Sequence, residues 1–185
     1  MRLNPLQPTH TVSRLDPDHL RVAMLARVVY PLHGYGGIER HVFHLTTHLA
    51  KLGLHVTLYV QERNSAQLAT GDQQAFEQLT QATQLSFLRY DYTSPVMRPN
   101  SILGRQINYP WYSWQLGRMV AKHVRLGAYD IVHAQGLCAL GYGWMREHDP
   151  LLKTVPFIAN PHGLEEYRTP DWRKWLAYTC LLYTS

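Results

Sequence analysis

The sequence predicts an α/β fold: an open, mostly parallel sheet with helices on both faces. Three observations carry that expectation. Short apolar runs of strand length alternate with helix-length segments along the chain, the pattern that crossover helices between parallel strands produce. The first run, Arg21 to Val29, is almost continuously apolar, as suits a central strand covered on both faces. Between it and the first helical segment stands the loop Tyr30-Pro31-Leu32-His33-Gly34-Tyr35-Gly36-Gly37. Glycines at a strand-to-helix turn allow close backbone approach, and a helix N-terminus presents unpaired N–H groups. The loop is therefore a candidate phosphate cradle.

The elements follow in order. Met1 to Leu20 is polar, carries Pro5, Pro8 and Pro17, and lacks the apolar core of a signal peptide; it reads as a mobile leader over 1–20. Arg21 to Val29 is the first strand. Ile38, Val42, Leu45, Leu49 and Leu52 form one apolar stripe at helical spacing, ended by Gly53. His55 to Val60 is the second strand. Ser65 to Thr83 carries a weaker helical pattern through Leu68, Phe76 and Leu79, and Leu85 to Tyr90 is the third strand. Asp91 to Gly104, with Pro95 and Pro99, reads as a long loop. Arg105 to Leu126 is a helix closed by Gly127, and Tyr129 to Ala134 is the fourth strand. A helix over Gly136 to His148 stops before Pro150, and Val155 to Asn160 is the fifth strand. Pro161-His162-Gly163 turns sharply after it, and Asp171 caps a last helix cut short by the chain end.

At 185 residues the chain holds one sizeable domain, and 45% hydrophobic residues argue against general disorder. The formal charge of +5 suits phosphate-bearing partners. Lys and Arg are spread along the chain without a block, which argues against nucleic acid as the partner. Cys138 and Cys180 form no CxxC pair and no zinc spacing, so a reducing, cytoplasmic setting is the simpler reading. No apolar run approaches the roughly 20 residues that a membrane span needs.

Open parallel sheets bind ligands beyond the carboxyl ends of their strands. Three segments converge there: the glycine loop, His133-Ala134-Gln135-Gly136, and Asn160-Pro161-His162-Gly163-Leu164-Glu165. The third glycine of a dinucleotide fingerprint is absent, and strand two is followed by Gln61 before Glu62, against nicotinamide binding. No Gly-Lys-Ser/Thr string marks a nucleotide P-loop. His41, His44 and His48 share one helix side and read as a polar shoulder, so no metal is expected. Glu39 reads as a partner of the helix dipole. Tyr109, Trp111, Tyr112 and Trp114, with Arg118, Lys122 and Arg125 downstream, suit either core packing or peripheral contact with a membrane surface.

Four strings in order carry a resemblance: Gly36-Gly37-Ile38-Glu39-Arg40-His41-Val42; Leu49-Ala50-Lys51-Leu52-Gly53-Leu54-His55-Val56-Thr57; Tyr129-Asp130-Ile131-Val132-His133-Ala134; and Pro161-His162-Gly163-Leu164-Glu165. From about Arg21 to Glu166 the chain resembles the N-terminal domain of family-four retaining glycosyltransferases of the GT-B fold. The resemblance implies a Rossmann-like sheet, the N-terminal half of a GT-B fold, with the active site between it and a second such domain. It implies that Gly36 and Gly37 lie against the diphosphate of a nucleoside-diphosphate sugar donor. It implies that His162 approaches the donor sugar as the catalytic residue. His133, Gln135 and Glu165 are candidate cleft or acceptor contacts, with Gln135 standing where many members carry a second histidine. The family needs no metal and no cofactor; helix dipoles and basic side chains of the second domain stabilise the departing diphosphate.

The expected domains are thus the leader 1–20, a Rossmann-like glycosyltransferase domain 21–170, and a truncated helix or non-native tail 171–185. The last residues, Cys180 to Ser185, resemble translated adapter read-through. The full-length enzyme is expected to be a hexosyltransferase acting with retention on a glycan or lipid-linked acceptor, in cell-envelope or other glycan biosynthesis. It is expected to be cytoplasmic, at the inner face of the membrane where it touches one. The 185-residue chain alone, without the C-terminal domain, is expected to be inactive. Two other readings stay open on the residues: a sugar-nucleotide epimerase of the same fold, and a non-catalytic nucleotide- or sugar-binding domain.

Overall fold

The computed structural model describes residues 20–62, 72–88, 102–160 and 162, with the backbone alone for 102–107. The expected leader up to residue 19, the loop over 91–101, Leu68, Glu165, Asp171 and the 171–185 tail lie outside the described residues.

Five strands form one sheet: β1 (Arg21–Leu25), β2 (His55–Gln61), β3 (Gln84–Leu88), β4 (Ile131–Gln135) and β5 (Phe157–Asn160). Their order is β3-β2-β1-β4-β5 and every pairing is parallel. The helices are α1 (Gly37–Lys51), α2 (Gln73–Ala82), α3 (Ile102–Arg125), α4 (Ala139–His148) and a short α5 (Pro150–Lys153). This is a Rossmann-like sheet, and its strand order reverses between β1 and β4.

Alternation along β1 divides the core. Val22 and Met24 join Val42, Phe43, Val56, Leu58 and Leu79 under α1 and α2. Ala23 and Leu25 join Tyr59, Leu116, Val120, Val132 and Tyr142 under α3 and α4. Successive side chains of a strand point to opposite faces, so a strand apolar on both faces needs helices on both.

Three expectations are revised. The first strand ends at Leu25, not Val29. Beyond it the chain runs on beside β2 with the bonds Ala26 N to Tyr59 O (2.9 Å) and Gln61 N to Arg27 O (3.3 Å), while Val28 and Val29 stay buried in irregular backbone. The apolar run recorded burial, not strand length. The buried face of α1 is Val42, Phe43, Thr46 and Thr47, whereas Ile38 and Leu52 are 45% and 68% exposed. Each threonine hydroxyl donates to a carbonyl one turn back, Thr46 to Val42 (2.5 Å) and Thr47 to Phe43 (2.8 Å). Satisfied in this way, threonine is admitted to the core. Finally, α3 starts at Ile102 rather than Arg105.

Both expected helix-ending glycines hold. Gly53 (φ +90) and Gly127 (φ +69) are left-handed. Gly53 N bonds Ala50 O and Leu54 N bonds Leu49 O; Gly127 N bonds Val124 O and Ala128 N bonds His123 O. These paired bonds close the last carbonyls of α1 and α3. Pro150 does end the preceding helix, and it opens α5 beneath an Asp149 cap that accepts from Leu151 N at 2.9 Å.

Helices α3 and α4 meet backbone to backbone. A Cβ at Gly117 would stand 2.5 Å from Tyr142 N, and one at Gly141 would collide with Ser113 O. Gly141 N donates to Ser113 Oγ at 2.9 Å.

Candidate functional site

The glycine loop is anchored at both ends. His33 Nε2 donates to Gln61 O at the end of β2 (2.9 Å), and its Nδ1 accepts from Val29 N–H (3.1 Å). Tyr35 Oη donates to the Asp72 carboxylate at 2.6 Å and Tyr30 Oη does so at 3.3 Å, which ties the loop to the start of α2. The Tyr30–Pro31 peptide is cis, and Gly34 (φ +115) makes the turn that only glycine adopts readily.

Gly36 caps α1 with φ −65 and ψ 168, and as glycine it has no side chain to bond the free N–H groups there. These angles suit any residue. The space that a Cβ at Gly36 would fill holds the Glu39 carboxylate, and a Cβ at Gly37 would meet nothing within 4 Å. Folding therefore does not require glycine at 37. Gly37 leaves open space at the N-terminus of α1 beside the Glu39 carboxylate, where backbone N–H groups and the helix dipole favour an anion.

Beside this helix end lie the carboxyl ends of β4 and β5. His162 Nε2 is 2.6 Å from Gln135 Oε1, and Gln135 Nε2 is 3.2 Å from His133 Nε2. The His162 ring stands edge-on to His41, centroids 4.7 Å apart. Asn160 Nδ2 is 3.5 Å from His41 Nε2. His41 lies four residues past Gly37, so its partner His162 sits about one helical turn from the open helix end. Burial, then the nearby His41 and His162, hold the His133 pKa below the usual imidazole value; burial and His41 do the same for His162. Both shifts favour the neutral imidazole, a hydrogen-bonding group without charge.

The structure brings together His133, Gln135 and His162 at one end of the sheet. Gln135 is buried and sits beneath the two imidazoles. Glu165 lies outside the described residues. His41 is the residue that sequence reasoning missed. It parts from the polar shoulder: His48 Nδ1 donates to His44 O at 2.7 Å, whereas His41 faces Asn160 and His162. Its place one turn into the helix after the glycine loop was the available signal.

Among the described residues, no group of three His, Cys, Asp or Glu side chains is arranged to hold a metal ion. Burial pushes the Cys138 thiol up to about 12, which removes it as a nucleophile. The aromatic cluster divides. Tyr112 is buried with Oη on Ala26 O at 3.2 Å, Trp114 packs on Trp144 at 4.8 Å, and Arg27 lies over the Tyr109 ring at 4.5 Å. Trp111 remains 54% exposed, on the same face of α3 as the exposed Arg118 and Lys122. No described helix is long and apolar enough to cross a membrane.

No curated protein matches the chain. The model of the family described as Glycosyltransferase Family 4 matches residues 35–184.

Proposed function

Because the chain belongs to glycosyltransferase family 4, we propose that it is one wall of an active site that transfers a sugar from a nucleoside-diphosphate donor to an acceptor hydroxyl with retention. The observation that carries this reading is the contact between His41 and His162, 4.7 Å between centroids. It sets an imidazole about one turn from the glycine-capped N-terminus of α1. An anion and a hydroxyl-bearing ring would fit these two features side by side.

In the proposed reaction the donor diphosphate lies against Gly36 and Gly37, displacing the Glu39 carboxylate from above Gly36. His162 hydrogen-bonds the donor sugar. The acceptor oxygen bonds to the anomeric carbon as the carbon–oxygen bond to the diphosphate breaks. The acceptor proton passes to the departing diphosphate oxygen. The N-terminus of α1 stabilises the charge that develops there. A second Rossmann-like domain supplies the cations that grip the nucleotide, so the 185-residue chain alone is inactive. His133 borders the acceptor side. The acceptor is a glycan or a lipid-linked glycan, met at the inner face of a membrane through Trp111, Arg118 and Lys122.

The test is an acceptor-dependent release of nucleotide by the protein carrying both domains, over a panel of nucleoside-diphosphate hexoses. Anomeric configuration is read from the product. Release that needs no acceptor and yields an isomerised sugar would replace transfer with epimerisation. Transfer by the 185-residue chain alone would remove the need for a second domain.

A further inference from the structure

We propose that Gln135 is a positioning residue that sets complementary tautomers on two histidines of the cleft, a role that rests on reading the cleft as a transferase site. Gln135 is the last residue of β4, and its side chain is buried. Its amide meets three groups: Oε1 lies 2.6 Å from His162 Nε2, while Nε2 lies 3.2 Å from His133 Nε2 and 3.4 Å from Met24 Sδ. A thioether sulfur accepts weakly and donates nothing, so the NH2 end of the amide belongs beside Met24. The carbonyl end then faces His162 and accepts from it.

The tautomers follow. His162 carries its proton on Nε2, bonded to the Gln135 carbonyl. His133 offers a bare Nε2 to the Gln135 NH2 and carries its proton on Nδ1. The two Nδ1 atoms are thereby made opposite: a lone pair on His162 and an N–H on His133. Neither Nδ1 has a hydrogen-bond partner among the described residues. One acceptor and one donor, both uncharged, match a sugar hydroxyl, which donates and accepts at once.

Nitrogen-edited NMR of the labelled chain at about pH 8, where ordinary imidazoles are neutral, reads which ring nitrogen holds each proton. The expected result is a proton on Nε2 of His162 and on Nδ1 of His133. Gln135→Glu keeps the acceptor for His162 and removes the donor for His133, so His162 keeps its Nε2 proton and His133 acquires one on Nε2. Gln135→Leu removes both partners, and each ring reverts to a mixture. A His162 proton on Nδ1 in the unaltered chain, or His133 unchanged by Gln135→Glu, would overturn the assignment. The first readout needs no variant, so misfolding cannot obscure it. Sugar transfer plays no part in the measurement. Wrong tautomers would remove the positioning role alone, and absence of transferase activity would remove the proposed function alone.

Discussion

The ring of His41 stands edge-on to the ring of His162, 4.7 Å between centroids, although the two residues belong to α1 and to the turn after β5. A proton on one disfavours a proton on the other. Burial and His41 lower the His162 pKa, and burial, His41 and His162 lower that of His133. Both should titrate below 6.5 by NMR, and His41→Ala should move both upward. A His162 midpoint at or above 6.5 refutes the arrangement. The sign for stability is fixed by linkage. With the folded pKa depressed, the unfolded state binds more protons, so stability falls as pH drops below the unfolded value and through the folded ones.

Gly37 separates folding from function. A Cβ there meets nothing within 4 Å, and alanine is the better helix former by about 1 kcal/mol. Gly37→Ala should leave the melting temperature unchanged or higher. In the protein with both domains it should raise the donor KM about tenfold or more, equivalent to about 1.4 kcal/mol. Unchanged KM would remove the diphosphate from this helix end.

The α3–α4 seam predicts a sharp contrast within one helix. Gly141→Ala drives a Cβ into the Ser113 carbonyl, whereas Gly143→Ala meets only the Phe157 ring at 3.4 Å. Urea denaturation should show Gly141→Ala destabilised by about 1–3 kcal/mol, the usual range for overpacking. Gly143→Ala should be close to neutral. Equal effects would mean that the helices separate freely.

Arg21 and Asp130 tie the start of β1 to the start of β4. The guanidinium bonds both carboxylate oxygens, at 3.0 and 2.9 Å, and Arg21 N adds a third bond at 2.9 Å. The hydrogen bond from Arg21 holds the Asp130 carboxyl below its ordinary value. Its contribution is therefore present above the unfolded carboxylate pKa and lost as pH falls through the lower folded value. Asp130→Asn should cost up to about 1 kcal/mol at neutral pH, as for a partly exposed pair, and the difference should shrink as pH falls through the lowered folded value of Asp130. A pH-independent difference in urea midpoints would refute the ionic origin.

Trp111, Arg118 and Lys122 share the outer face of α3. The protein with both domains should float with vesicles containing anionic lipid at low salt and release as salt rises. Trp111→Ser with Arg118→Gln and Lys122→Gln should abolish flotation. Binding that ignores salt and these changes would remove this face as the contact.

The inner strands β1, β2 and β4 were legible because parallel strands buried on both faces read as apolar runs, and each of the five strands was expected within a few residues of where it lies. Glycine punctuation at Gly53 and Gly127 was equally legible, because those positions demand positive φ. What failed were inferences that equate apolar with buried. Thr46 and Thr47 line the core because their hydroxyls bond backwards, and no hydropathy pattern reports that. In the candidate site, His133 and His162 were legible from their place toward the sheet's carboxyl edge, His133 within β4 and His162 after β5. Gln135 was a candidate from the same edge, but its contact with His162, 27 positions on, and that of His41 with His162, 121 positions on, are set by the fold and not by the local pattern.

The anchoring of the glycine loop has a thermodynamic consequence. His33 holds it to β2 and Tyr35 holds it to α2 before any ligand arrives. The entropy of ordering the loop is then spent during folding, not during association. Binding at Gly36 and Gly37 should thus proceed with little loop rearrangement. A closing motion around a ligand would not then be carried by this loop, whose place is already set.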